Sequence, residues 1–452
     1  MSELKVNKIS PRTACGTVTL GDSGDTIAIG AGVTTSGMGR TGTVDWDTSI
    51  KTGTVTAVSG SGYFVNTTAG AITVNLPVGA VGSIVAVSDY ASTSASNQIL
   101  INPNGSEKIN GVNDDYRIGT AGLAVTLVYA DATKGWKSVT GSDADATGEV
   151  PAWVTATGGT IATVCTNYKT HTFTSPGTFV VTCAGNTGGS NALDYLIVAG
   201  GGGGGSNGGG GGAGGFRESV PSPAAWTASP LANPGGSLTA VATPYAITVG
   251  AGGGGSPSSP TCGVQGSDSI FSTITSAGGG KAGGWGYPGG GAGDGGSGGG
   301  GGMDAPGSPA VLIDGGAGDT PDVTPDQGKG GGQGWHQAGV SSWGGGGGGA
   351  TVAGFNGTPA EHGGNGGTGA TTSISATPTA YAGGGAGRPH TPTSGTGGTG
   401  GGGASGGPAS PSNVGVAGTV NTGGGGGGSN NSPPQIGGNG GSGIVIIRYK
   451  FQ

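Results

Sequence analysis

The chain has 452 residues and a formal net charge of −7; 115 residues are glycine, and only 9 % are charged and 5 % aromatic. No basic run is present, which excludes a typical nucleic-acid-binding protein, because such binding depends on clustered Lys and Arg. The hydrophobic content of 32 % argues against one large core, and the length allows two to four domains.

Residues 1–52 alternate β-branched or apolar residues with small polar ones between glycine turns, most clearly at 18–30. This pattern predicts short strands, which bury little surface alone and suit an assembly of several chains. The N-terminus lacks the apolar core of a signal peptide, and no apolar run approaches the ~20 residues of a membrane span. We therefore expect synthesis in a cytoplasm and no membrane insertion.

Residues 53–142 predict a compact β domain. Strands are expected at 71–77, 82–90, 99–105 and 123–129, and no helical period is visible. Asn104-Gly105 predicts a tight hairpin, because this dipeptide suits a two-residue turn. Residues 143–150 are polar and acidic and predict a linker.

Residues 151–452 begin with further strands and continue into a glycine-rich stretch, 199–443, bracketed by apolar segments at 195–198 and 444–447. Glycine runs alternate there with inserts rich in Pro, Ser, Thr and Asn. A linker has no need of β-branched segments at both ends. We therefore expect the two brackets to be neighbouring strands of one sheet that closes the domain.

Two interpretations of the glycine runs compete. Glycine-rich chains without a core form flexible coil. Alternatively, the runs are polyproline-II-type helices, with three residues per turn and a rise of about 3.1 Å, whose free backbone groups bond to neighbouring runs. The apolar brackets favour this ordered lattice. The predicted fold class is therefore all-β: short-strand N-terminal modules, then a glycine-rich domain of polyglycine-II-type helices closed by β-strands.

An enzyme is not expected. Glutamates are few, the aspartates of the glycine-rich region have no apparent orienting residues, and no nucleophile-elbow, zinc-protease or phosphate-loop motif occurs. Cys15, Cys165, Cys183 and Cys262 contain no CxxC pair, so we expect buried free thiols and no zinc site. The sequence predicts no metal and no cofactor.

Aromatic, His and Arg residues in the glycine-rich region are the candidate receptor-binding residues. Aromatic faces on rigid loops suit stacking on sugars, while His and Arg suit hydroxyl or carboxylate groups; the alternative is that these side chains pack loops onto the lattice. The candidates are Trp285, Tyr287, Trp335, His336, Trp343, Phe355, His362, Tyr381, Arg388 and His390.

Two segments resemble bacteriophage fibre proteins. Gly62-Tyr63-Phe64, Asn75-Leu76-Pro77, Ser88-Asp89-Tyr90 and Gly135-Trp136-Lys137 resemble a β module of marine tailed-phage fibres. His171-Thr172-Phe173, Tyr195 to Gly200, Gly214 to Arg217, Ile247 to Gly253 and Gly443 to Tyr449 resemble the glycine-rich domain of phage fibres and adhesins. Residues 1–52 also resemble a fibre N-terminal module.

The resemblance implies an elongated homotrimeric tail fibre of the virion, made in the host cytoplasm. Residues 1–52 would attach to phage tail, baseplate or adaptor proteins, residues 53–142 would trimerise and extend the shaft, and residues 151–452 would form the distal receptor-binding domain. Its loops would contact a host surface polysaccharide or outer-membrane protein. Trimeric fibres with a metal-threaded shaft carry His-x-His pairs, and His171-Thr172-Phe173 lacks the second His, so an axial iron is not expected.

Two alternatives to receptor binding are a passive virion protein, such as a head-decoration or spacer fibre, and an ice-binding protein. Ice binding would call for regularly spaced Thr on one flat face, which the sequence does not display.

Overall fold

The computed structural model describes residues 44–139, 152–186, 189–286, 291–303, 311–337, 341–358, 363–389, 394–407, 413–430 and 435–452. Every regular element in these residues is a β-strand, and the strands form open sheets without any helix among them. The described ranges accordingly contain no helix that could cross a membrane. The predicted all-β class is confirmed. The chain divides into two compact units, Met1–Glu149 and Val150–Gln452.

The first unit contains nine described strands in two sheets. Strands β1, β3 and β5 pair in parallel and continue into antiparallel β8 and β9, while β2, β4 and β6 pair in parallel and continue into antiparallel β7. From β1 to β6 the chain alternates between the sheets, so each parallel connection runs through a strand of the opposite sheet. The strands are β1 Asp45–Lys51, β2 Val55–Thr56, β3 Ser61–Val65, β4 Ile72–Asn75, β5 Ile84–Asp89, β6 Ile99–Asn102, β7 Tyr116–Ile118, β8 Ala124–Asp131 and β9 Gly135–Ser138.

One apolar core fills the space between these two sheets, with Val65, Val85, Ile101 and Trp136 among its fully buried members. Strands β4 and β6 show the alternation expected of a sheet with one buried face, whereas β5 is buried at five of its six residues. The four strands that the sequence predicts in this unit are confirmed as β4, β5, β6 and β8. Strand β1, which lies within the predicted first module, pairs with β3 in the same sheet.

The predicted hairpin at Asn104-Gly105 is wrong. A turn is present, since Glu107 N donates to Asn104 O at 3.0 Å, but the next strand is β7, which begins at Tyr116. The Glu107 carboxylate accepts hydrogen bonds from Gly79 N at 2.8 Å and Trp136 Nε1 at 3.1 Å. These tertiary bonds hold the segment after the turn against the core, so the chain does not return directly as the second strand of a tight hairpin.

The second unit contains seventeen described strands. One large sheet has the order β11-β12-β26-β14-β15-β16, with β17 also paired to β14, and a second sheet has the order β10-β13-β18-β19-β20. The strands are β10 Val154–Thr157, β11 Thr160–Val164, β12 Tyr168–Phe173, β13 Gly177–Ala184, β14 Ala192–Val198, β15 Phe216–Val220, β16 Ala232–Pro234, β17 Leu238–Thr239, β18 Pro244–Thr248, β19 Ser269–Phe271, β20 Ile274–Ser276, β21 Val311–Ile313, β22 Gly334–Gln337, β23 Ser341–Trp343, β24 Ala370–Thr372, β25 Thr379–Tyr381 and β26 Ile444–Lys450.

The two apolar brackets are neighbours, as the sequence predicts. Strands β14 and β26 pair antiparallel in the register Asp194↔Arg448 to Val198↔Ile444. Alternate residues face opposite sides: Tyr195 and Ile197 enter the core between the two sheets, while Leu196 and Val198 pack on the other face with β15 and the β24–β25 hairpin. Burial on both faces explains why these strands are continuously apolar instead of alternating.

The glycine runs between β14 and β26 hydrogen-bond side by side, as the sequence predicts. In the run 200–205, residues three apart bond to the same neighbouring segment. The backbone N–H groups of Gly200 and Gly203 donate to the carbonyl oxygens of Ser267 and Val264. Those of Gly201 and Gly204 donate to the carbonyl oxygens of Gly441 and Gly438. Those of Gly202 and Gly205 donate to the carbonyl oxygens of Gly212 and Gly209. The carbonyl oxygens of the run accept with the same three-residue period from three other segments. Those of Gly200 and Gly203 accept from the N–H groups of Gly279 and Ala282, and those of Gly201 and Gly204 accept from Gly253 and Ser256. Those of Gly202 and Gly205 accept from Gly426 and Ser429.

This bonding requires glycine because the backbones approach too closely for a side chain. A Cβ atom at Gly203 would lie 2.0 Å from Gly254 O, and one at Gly201 would lie 2.2 Å from Gly424 O. Such a contact cannot be relieved by rotating a side chain, because the obstructing atom belongs to the backbone. We call this set of mutually bonded runs within 199–443 the glycine lattice.

Outer runs of the glycine lattice have fewer neighbours, and side-chain oxygens replace the missing carbonyls. Asn439 Oδ1 accepts from Gly255 N at 2.8 Å, Asn356 Oδ1 from Gln333 N at 2.8 Å, and Asn365 Oδ1 from Thr396 N at 2.8 Å. These Asn side chains satisfy backbone groups that would otherwise be left open at the edge, where another chain could pair with them.

The three described cysteines are free thiols. The expectation of buried thiols is wrong for Cys165 and Cys183, which are exposed. Cys165 lies in the turn between β11 and β12 with a φ of 48°, and Cys183 lies on β13 beyond an irregularity in its pairing with β10. Cys15 lies outside the described residues.

His171 is fully buried in the core between the two sheets of the second unit. Its Nδ1 lies 2.6 Å from Gly158 O, and its Nε2 lies 2.9 Å from Tyr449 Oη. Because a carbonyl can only accept, Nδ1 carries the proton and Tyr449 donates to Nε2. Burial, with a smaller contribution from the Lys169 charge, lowers the pKa of His171 below its usual 6.5.

A matched pair of glycine substitutions tests the lattice. Gly203→Ala places Cβ against a backbone oxygen and is expected to destabilise the protein by about 3 kcal/mol or more. Gly254→Ala, where the nearest atom is Val264 Cγ2 at 3.8 Å, is expected to be tolerated within about 0.5 kcal/mol. Thermal unfolding of the full chain measures both. Equal effects would contradict a close-packed lattice, since a flexible coil has no preference between the positions.

The buried imidazole predicts an acid-sensitive step in stability. Because the native pKa of His171 is lowered, the unfolded chain binds more protons below about pH 6.5, so stability falls as the pH decreases through that value. His171→Gln should remove this component. The measurement is the difference in melting temperature between parent and variant from pH 7.5 to 5. A difference that does not change with pH would show that His171 has no such role.

Candidate functional site

The glycine lattice has two ends. We call the end where the runs join β14, β15 and β26, at Ala199, Gly215 and Gly443, the sheet end. The opposite end, which includes Ser206, is the loop end. The described chain just before the inserts at 287–290, 304–310, 390–393 and 431–434 lies at the loop end, because Gly286 bonds to Met303, Arg388 to Gly208 and Ser429 to Gly205. Inserts far apart in sequence therefore start from one end of the unit.

Trp335, His336 and Trp343 lie together at the loop end in the small sheet β21-β22-β23. The rings of Trp335 and Trp343 have centroids 5.0 Å apart, within the range of favourable aromatic pairing. Trp335 is half-buried, whereas Trp343 and His336 are buried. His336 Nδ1 lies 2.8 Å from Ser342 Oγ. Of this group, Trp335 is the side chain that reaches solvent.

Trp285 and Arg388 meet at the loop end through Met303. Trp285 forms an isolated parallel bridge with Met303, and Arg388 Nη1 donates to Met303 Sδ at 3.2 Å. Trp285 is half-buried, while Arg388 is only 4 % exposed. Gly344 N donates to Arg388 O at 3.1 Å, which connects this group to Trp343. Trp285, Trp335, His336, Trp343 and Arg388 are thus gathered at one end of the lattice.

Two candidates lie elsewhere. Tyr381 is in β25 at the sheet end, buried with Leu196, Val198 and Phe216, and burial raises its pKa above the usual value. Phe355 is 51 % exposed on the flank of the lattice, beside Asn356 and Asn365. Tyr287, His362 and His390 lie outside the described residues.

Sequence reasoning missed Met303 and Ser342, which contact the candidate side chains. Met303 had a signal: it is one of only three methionines and directly follows the glycine run 298–302. Ser342 had none, because the sequence is rich in serine. In the described ranges, no group of three or more His, Cys, Asp or Glu side chains is arranged to hold a metal ion. The loop end offers indole faces, a cation and hydrogen-bonding groups, which suit noncovalent recognition of a polar ligand.

The fold and this site define an all-β protein whose second unit is organised by a glycine lattice. A family model described as a glycine-rich domain matches residues 172–450, more than half of the chain. The protein therefore belongs to the glycine-rich domain family. No curated protein matches the chain.

The paired tryptophans Trp335 and Trp343 are expected to differ in their contribution to stability. Trp343→Ala removes a buried ring and should cost about 3–5 kcal/mol. Trp335→Ala removes a ring that is partly solvated and should cost about half of that or less. Thermal unfolding of the full-length variants measures both changes. A larger loss for Trp335→Ala would show that the burial pattern at the loop end is misassigned.

Proposed function

We propose that this protein is a homotrimeric tail fibre of a tailed bacteriophage and that its loop end attaches the virion to the host surface. The observation that carries the proposal is the convergence of aromatic and cationic side chains at the end of the lattice opposite the supporting sheet. A rigid support with variable inserts at one end keeps binding groups in place at low entropic cost. The ligand would be a surface polysaccharide or an outer-membrane protein.

We further propose that the glycine runs are helices of polyglycine-II type. The three-residue repeat in hydrogen-bond partners supports this, because a helix with three residues per turn directs every third backbone group the same way. A six-residue run would then be about 19 Å long, which separates the loop end from the sheet end.

The remaining roles follow the same proposal. Residues 1–52 would attach to tail, baseplate or adaptor proteins, and residues 53–142 would form the trimerising part of the shaft. Residues 143–150 would be the linker to residues 151–452, which would form the receptor-binding domain at the distal end of the fibre. Trimerisation is supported by exposed apolar side chains within residues 53–142, where Val58 is 61 %, Val78 71 % and Val81 82 % exposed. A sedimentation mass equal to a single chain would refute trimerisation. Gold-labelled antibody that locates the chain away from the particle's tail would refute the fibre assignment.

A passive virion protein is the second candidate. The burial of His336, Trp343 and Arg388 favours it, because buried side chains can serve the packing of the lattice alone. In that case the loop end would contact nothing outside the particle, and substitutions there would change stability without changing adsorption.

Aromatic substitutions separate the two candidates. Particles carrying Trp335→Ala or Trp285→Ala should adsorb to the propagating host at least about tenfold less than the parent, as expected when a binding anchor is truncated. Tyr90→Ala, an exposed aromatic in the first unit, is the matched control and should adsorb normally. Melting temperatures of the purified chains confirm folding. Normal adsorption by both loop-end variants would favour the passive role.

A further inference from the structure

The second unit contains two arginines that are almost completely buried, Arg448 and Arg388. Arg448 has several partners, although its Nε and Nη2, like Arg388 Nε, lack hydrogen-bond partners among the described residues. Its Nη1 donates to Ile374 O at 2.8 Å, and its guanidinium lies 4.5 Å from the ring centre of Tyr168 and 4.6 Å from that of Trp226. Its charge also acts on the nearby Asp194 carboxyl. Such partners offset the cost of removing a cation from water.

Arg388 has no comparable compensation. Its Nη1 donates to Met303 Sδ, and a thioether is a weak acceptor for a guanidinium. Its Nε has no hydrogen-bond partner among the described residues. Burial alone lowers the pKa of Arg388 to about 10, without a contribution from any carboxylate. An uncompensated buried cation is costly, so its presence calls for an anion that the described residues do not supply.

Other buried polar atoms around Arg388 also lack partners. Ser206 Oγ and His336 Nε2 are buried without hydrogen bonds among the described residues. The backbone oxygen of Ser206 accepts a hydrogen bond from Trp285 N at 3.3 Å. His336 contacts Ser342, which lies two residues before Gly344. The backbone N–H of Gly344 donates to Arg388 O. Ser206 and His336 therefore lie on segments whose backbones bond to the segments that carry Trp285 and Arg388.

We propose that the loop end binds an anionic saccharide, with Arg388 pairing with the oxyanion and Trp285 stacking on the sugar ring. The proposal rests on the receptor-binding function and names the ligand class that it recognises. Met303 covers the guanidinium, and its unbranched side chain can turn aside to admit the anion. The oxyanion is a carboxylate of a uronic acid or a phosphate ester, both of which present oxygens that a guanidinium binds in a bidentate manner.

The test uses the full-length protein and three probes: D-glucuronate, D-glucose 6-phosphate and D-glucose, at equal ionic strength. Binding is followed as the concentration-dependent rise in melting temperature, since a ligand that binds the native state stabilises it. Either anionic sugar should raise the melting temperature of the parent, and glucose should not. The stronger of the two anionic probes identifies whether the receptor group is a carboxylate or a phosphate.

Arg388→Met replaces the cation by an unbranched apolar side chain and should weaken the ligand-induced rise in melting temperature at least about tenfold. The control is Arg217→Met, on β15 at the sheet end, which should respond to the sugars like the parent. Arg388→Lys keeps the charge and should respond between the parent and Arg388→Met, which keeps the test valid if the Met variant folds poorly. Equal responses to glucose and to the anions, no response at all, or an unchanged response in Arg388→Met and Arg388→Lys would overturn the inference.

The outcome is separable from the proposed function. In one outcome, Trp335→Ala reduces adsorption but the anionic sugars produce no Arg388-dependent rise in melting temperature. This result would support host attachment and reject the anionic ligand. Arg388-dependent binding of an anionic sugar by particles that adsorb to no host would support the site and reject the attachment role.

Discussion

Hydrogen bonding between glycine runs is the interaction on which the second unit depends. Within Gly200–Gly205 no backbone group bonds to another residue of the same run, so its N–H and C=O groups need partners on other segments. The segments that surround Gly200–Gly205 supply those partners at 2.8–3.0 Å. Because ordering glycine costs more backbone entropy than ordering any other residue, one run alone would not order, and the bonds form only when many runs assemble together.

The bracketing strands make this assembly possible. Strands β14 and β26 are buried on both faces, and their pairing joins the beginning and end of the glycine-rich stretch. Runs that begin at this apolar sheet lead to the loop end, while the β24–β25 hairpin lies at the sheet end. Polar groups within the sheet are also paired: Asp194 accepts from Ser219 Oγ at 3.0 Å and Ser237 Oγ at 2.6 Å, although burial still raises the pKa of its carboxyl. A hydrophobic anchor thus supports a lattice held by backbone hydrogen bonds.

The candidate site shows how burial divides residues of the same type. Trp335 and Trp343 are both tryptophans in neighbouring strands, yet Trp335 retains access to solvent and Trp343 does not. The arginines differ as well, since Arg448 has aromatic and carbonyl partners, while the side-chain partner of Arg388 among the described residues is the thioether of Met303. Arg388 is buried without a partner of opposite charge among the described residues, whereas Arg448 lies near Asp194 and two aromatic rings. The two arginines therefore differ in their capacity to bind an added anion.

Sequence alone determined the elements whose chemistry is local or repetitive. The apolar brackets indicated neighbouring strands, because a linker has no need of β-branched segments at both ends. The glycine runs indicated lateral bonding, because glycine allows backbones to pack closely. Tertiary structure decided the rest. The turn at Asn104-Gly105 forms without the predicted tight hairpin, because Glu107 bonds to Gly79 and Trp136, which are distant in sequence. Burial of Tyr381 at the sheet end and of Arg388 at the loop end depends on which runs pack beside them, and glycine runs are too alike in sequence to specify their own neighbours.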